Sequence, residues 1–117
     1  PNMAIVTGFD RSDFGKILQR AVEGSPYSFY PDPYVGQYLF RRADNAPFAR
    51  RGVPAHAIST ISMDPRDKDL HCVSDEVETL DLTNMTSLIR AIAMGAEPII
   101  SGTATPTRID PPLEKSP

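Results

Sequence analysis

The run Met3-Ala4-Ile5-Val6-Thr7, closed by Gly8, is the tightest constraint on the fold. It is short, apolar and β-branched at its last three positions, so it reads as a strand over residues 3–7. A strand with one wet face alternates; this one does not, so both faces must be covered, as in an α/β layer. The next segment agrees. Asp10 or Ser12 can cap a helix, and Asp13 suits the positive end of its dipole. Phe14, Ile17, Leu18, Ala21 and Val22 then recur at helical spacing and make one apolar face. Gly24 supplies the stop.

Residues 27–37 are aromatic and rich in turn formers, and Pro31 and Pro33 exclude a central strand there. The tyrosines and Phe29 either plug this loop onto the core or line a pocket. Residues 38–40 read as a short strand. Residues 45–51 read as one or two helical turns, capped by Asp44 or Asn45, with Pro47 in the first turn and Gly52 at the end. Residues 53–62 are the second strand candidate, and two strands joined through helices imply an α/β layer. Residues 63–78 form a polar loop. Asp81 or Thr83 then caps a last helix whose face is Met85, Leu88, Ile89, Ile92 and Ala93, with Gly95 and Pro98 as terminators. Four of the 12 prolines fall at 106, 111, 112 and 117, so residues 102–117 are expected to be an extended tail behind a folded part of residues 1–101.

A chain of 117 residues is at most one domain, long enough to bury a core. Its formal net charge is −3, and the cluster Arg41, Arg42, Arg50 and Arg51 has Asp44 among it. That excludes the basic stripe of a nucleic-acid binder. The one cysteine, Cys72, excludes an internal disulfide. No apolar run approaches the ~18 residues of a membrane span. There is no secretory leader pattern, and the opening Pro1-Asn2-Met3 fits a piece of a longer protein.

Chemistry concentrates in residues 40–81. His71 stands in Asp69-Leu70-His71-Cys72-Val73-Ser74-Asp75-Glu76, a polar loop after a predicted strand, where α/β folds place ligands. Its imidazole can bind a metal, and Asp75 can fix its tautomer or simply cap a turn. There is no paired-histidine or paired-cysteine motif to strengthen the case. Cys72 is a soft ligand beside it or a small semi-buried residue. His56, inside an apolar segment, reads as a hydrogen-bonded core residue. Arg42 can grip a carboxylate bidentately, or pair with Asp44 at the surface for at most ~1 kcal/mol. No Ser-His-Asp set and no glycine-rich phosphate loop stands out.

Two blocks add a resemblance. Arg42-Ala43-Asp44-Asn45-Ala46-Pro47-Phe48-Ala49 followed by Gly52-Val53-Pro54-Ala55 resembles the "RSD-x-x-PF … G-[IV]-P-A" signature of co-catalytic zinc exopeptidases, the family of bacterial leucyl aminopeptidases, glutamate carboxypeptidase and glutaminyl cyclases. Leu70-His71-Cys72-Val73-Ser74-Asp75-Glu76, then Leu80-Asp81 and Met85, is similar to its "YHT-x-x-DT … [IL]D … M" block. The resemblance covers about residues 40–94. It implies a partial α/β/α sandwich, two or three strands of a mixed sheet flanked by helices. It implies that His71 is the last of five ligands to a zinc pair, with Asp75 behind it. It further implies that Arg42, Asp44 and Phe48 shape the substrate side, and that the substrate is a peptide.

Leu70, Ala43 and Cys72 depart from the family's tyrosine, serine and threonine. The remaining ligands and the catalytic glutamate match nothing in this chain. The expectation is therefore part of a metallo-aminopeptidase that is secreted or periplasmic, with no catalytic residue on this chain. Alone, the chain would be inactive and bind no zinc tightly. It would be completed by the missing half of the domain or by self-association. The alternative is a non-catalytic peptidase-like module for dimerisation or protein binding.

Overall fold

A computed structural model describes residues 2–34, 36, 38–60, 73–74 and 76–114. Strand β1 (Met3–Val6) is the middle of a three-stranded mixed sheet of order β2-β1-β3. β2 (Ser28–Pro31) runs parallel to it, Met3 opposite Ser28, and β3 (Ile58–Ser59) antiparallel, Val6 opposite Ile58. Ala4, Ile5, Val6 and Thr7 are all buried, so successive residues on opposite faces are both covered, as the missing alternation requires. The architecture is mixed α/β, as expected. The parallel partner of β1 is the aromatic segment instead of residues 53–62. Pro31 is tolerated because it is the last residue of an edge strand, where no ladder donor is needed.

Helix α1 (Phe14–Ala21) links β1 to β2. The Ser12 hydroxyl, not Asp10, accepts the Phe14 N–H at 3.2 Å; Asp10 sits in a 3-10 turn over Phe9–Arg11. Leu18 and Val22 from the predicted face are fully buried and join Ala4, Val6 and Phe29 in the main core. Phe29 thus plugs the core. Residues 38–40 are not a strand: Leu39–Arg41 is a 3-10 turn entered through Tyr38 at φ 56°.

Helix α3 (Leu82–Ile100) starts where expected, with the Asp81 carboxylate accepting the Asn84 N–H at 2.9 Å. It does not stop at Gly95 or Pro98. Gly95 is buried against α1, where a Cβ would lie 2.9 Å from Leu18 Cγ. The residue therefore serves close helix approach, and the helix ends only before Gly102 at φ 83°. The buried face is centred on Leu88, Ala91 and Gly95, while Met85 and Ile89 are exposed. Among the described residues no helix is long and apolar enough to cross a membrane.

The proline-rich stretch after Gly102 lies along the body. Thr107 and Asp13 clasp each other, Asp13 N–H to Thr107 Oγ1 at 3.0 Å and Thr107 N–H to Asp13 Oδ1 at 2.6 Å. Ile109 N–H reaches Gly52 O at 2.9 Å and Leu113 N–H reaches Ala49 O at 3.1 Å. Ile109 and Leu113 are buried with Phe40, Ala46 and Ala49 in a second core.

Candidate functional site

The second core fixes the segment that carries Arg42, Asp44 and Phe48. Helix α2 (Ala46–Ala49) has Pro47 in its first turn, where no donor is required, and buries Ala46 and Ala49. Asn45 makes no side-chain cap. Its amide instead donates to Phe40 O at 3.0 Å and Ala55 O at 3.3 Å, tying the Arg42-to-Phe48 turn to the Gly52-to-Ala55 turn. Val53 N–H bonds Phe48 O at 3.1 Å, closing the unit. With Asn45, Ala46 and Ala49 turned inward, Arg42, Asp44 and Phe48 are all exposed, Phe48 by 59%. A phenyl ring that open is available to a ligand or partner.

Beside this ledge lies a cleft of about 280 Å³ between the residues that follow β1 and those at the end of β2. The carboxyl ends of parallel strands are where open α/β sheets bind ligands. Arg11, Asp32, Tyr38 and Arg41 are among its walls, and the Arg11 guanidinium lies 5.2 Å from the centre of the Phe40 ring. Gly8, at φ 61°, makes this possible, because a Cβ there would meet the Phe40 ring at 2.5 Å. Sequence reading missed Arg11 and Tyr38; the aromatic, turn-rich residues 27–37 hinted at a pocket beside Tyr38, and no local signal marked Arg11.

His71 and Asp75, the residues assigned to the metal, lie outside the described residues, as does Cys72. Among the described residues no three of His, Cys, Asp and Glu gather where one cation could touch them all. The described part therefore supplies no zinc centre, and no step through zinc is derived from it.

His56 is a hydrogen-bonded residue, as expected, but it holds loops and not a strand interior. Its Nδ1 lies 2.7 Å from Thr7 O, and a carbonyl can only accept, so Nδ1 carries the proton. Nε2 then accepts the Ser12 hydroxyl at 2.7 Å. The ring stacks on Phe14 at 5.1 Å and leans on Phe40 at 5.5 Å. The Ser12–His56 pair has the distances of a nucleophile and its base. Yet Ser12 is buried, also receives the Phe14 N–H, and does not border the cleft described above. The pair is a structural tie between β1, α1 and the turn before β3.

Burial lowers the pKa of His56, partly opposed by the Thr7 carbonyl that its ring bonds. The unfolded chain, with an ordinary imidazole near ~6.5, therefore takes up the proton first. Stability is full above about pH 6.5 and declines as pH falls below it. Urea midpoints are expected to drop between about pH 7.5 and pH 5.5 in the wild type, and this decline to vanish in His56→Gln.

No protein-family model matches this chain, and no curated protein or solved structure matches it either.

Proposed function

We propose that this chain is part of a zinc-dependent metallo-aminopeptidase domain, which hydrolyses the peptide bond at a chain end. One observation carries the reading. The first matching block folds as a single hydrogen-bonded unit through Asn45, and the side chains it leaves outward are Arg42, Asp44 and Phe48. In this reading the three form a substrate-side ledge: a guanidinium for a carboxylate, an acid beside it and an aromatic ring for an apolar side chain. His71 holds metal in this reading and Asp75 orients it. Zinc held there would supply the chemistry of a water activated at neutral pH. The other ligands and the general base come from residues beyond this chain.

The test uses the intact protein that carries this chain. Turnover of aminoacyl anilides is expected, and His71→Ala should lower it more than about 100-fold, beyond the usual loss from a residue behind a ligand. Unchanged turnover in that variant overturns the assignment. Turnover by the 117-residue chain alone overturns the partial-site reading.

A second reading, a non-catalytic peptidase-like module used for dimerisation or protein binding, is favoured by the apolar side chains that α3 leaves exposed. An intact protein that takes up no zinc and cleaves no anilide would support it.

A further inference from the structure

Helix α3 has two apolar faces. One packs on α1 and the sheet through Leu88, Ala91 and Gly95. The other is a stripe of Leu82, Met85, Ile89, Ala93, Ala96 and Ile100, spaced by three or four residues along the whole helix. Ile89 is 60% and Ile100 81% exposed. Such spacing over 19 residues, about 28 Å of helix, is that of a helix-pairing seam. No charged residue interrupts it. The two charged residues of α3, Arg90 and Glu97, lie together along one flank, and both are exposed. They are about 10 Å apart along the axis, too far to pair with each other. Neither has an ion-pair partner among the described residues.

We propose that α3 pairs with α3 of a second copy of this chain, antiparallel, about a two-fold axis between Ala93 and Met94. The charges select this occupant and this direction. In an antiparallel pair, one flank of a helix faces the same flank of its mate. Arg90 then stands level with Glu97 of the second copy, and the two-fold makes that ion pair twice. A parallel pair would set this flank against the opposite one and leave the four charges unmatched. The stripe fits the same axis. The small Ala93 and Ala96 lie near the crossing, where helices approach closely, and Ile89 falls between Ala96 and Ile100 of the second copy. One helix pair is a small interface, so the dimer is weak, with a Kd on the order of 10 µM. The proposal rests on the surface of α3 alone and holds under either functional reading above.

Sedimentation equilibrium of the full chain, from high nanomolar to submillimolar concentration, provides the test. The wild type should pass from monomer to dimer and stop there. Arg90→Glu and Glu97→Arg should each weaken dimerisation at least about tenfold by placing like charges opposite one another. The double variant Arg90→Glu/Glu97→Arg should restore it. Ile89→Glu should remain monomeric, with its circular dichroism unchanged at concentrations where the wild type is monomeric. A wild type that stays monomeric throughout, or that grows beyond the dimer, overturns the proposal. So does a double variant no better than the singles, since rescue depends on the antiparallel register. None of these measurements involves zinc or turnover, so failure here is separable from failure of the functional reading.

Discussion

Replacing Gly95 by valine is expected to cost about 3 kcal/mol, the upper range for overpacking a well-filled contact. Helix propensity alone predicts the opposite sign. A glycine inside a helix is worse than alanine by about 1 kcal/mol, so on that ground any side chain should help. Geometry reverses it. A Cβ at Gly95 meets Leu18 Cγ at 2.9 Å, Leu18 Cβ at 3.3 Å and Phe29 Cε2 at 3.3 Å. Leu18 and Phe29 are themselves buried in the main core, so neither can swing into solvent. Alanine, which gains the propensity and pays the contact, should still lose about 1 kcal/mol net. Valine adds two methyl groups and should lose far more. Urea unfolding followed by circular dichroism reads both. A Gly95→Ala variant more stable than wild type would mean that α1 and α3 do not approach as described.

The second large effect belongs to the strap. Ile109→Ala with Leu113→Ala removes two fully buried anchors from the core that seats Phe40, Ala46 and Ala49. Single truncations of this kind cost about 2–5 kcal/mol, and two neighbours share part of that loss, so about 5 kcal/mol is expected together. That is comparable to the whole stability of a small domain. The backbone bonds to Gly52 and Ala49 would then have little to hold the strap in place. The control is Ile100→Ala, also an isoleucine cut to alanine, which should change stability by less than about 0.5 kcal/mol at concentrations where the chain is monomeric, because the residue is exposed there. Equal midpoints for the strap variant and the control would show that residues 104–113 are dispensable to the body.

These two sites also mark where sequence reading ran out. β1, the apolar face of α1 and the Asp81 cap were legible because each is a local pattern. Consecutive β-branched residues, a helical spacing and a capping carboxylate need no distant partner to be recognised. Gly95 looked like a stop because its reason for being glycine is Leu18, far away in the chain. Ile109 and Leu113 carry no periodicity, and prolines around them suggested a tail. Residues 28–31 looked like loop because prolines there rule out a central strand, and β2 uses the one place left, the edge. In the ledge, Arg42, Asp44 and Phe48 were picked out by motif. That Asn45 would turn inward and bind two carbonyls was not, since its type suited a helix cap equally well. The Ser12–His56 tie joins residues 44 apart and leaves no local trace.

The strap has a consequence for how the molecule is made. Its anchors emerge during synthesis more than fifty residues after the ledge they wedge into. A nascent chain can lay down β1, α1 and β2 as they appear, but Arg42, Asp44 and Phe48 gain a firm seat only after Leu113 has left the ribosome. The outward pose of that ledge is therefore set only once the chain through Leu113 is in place, and a cut just after α3 would remove its seat.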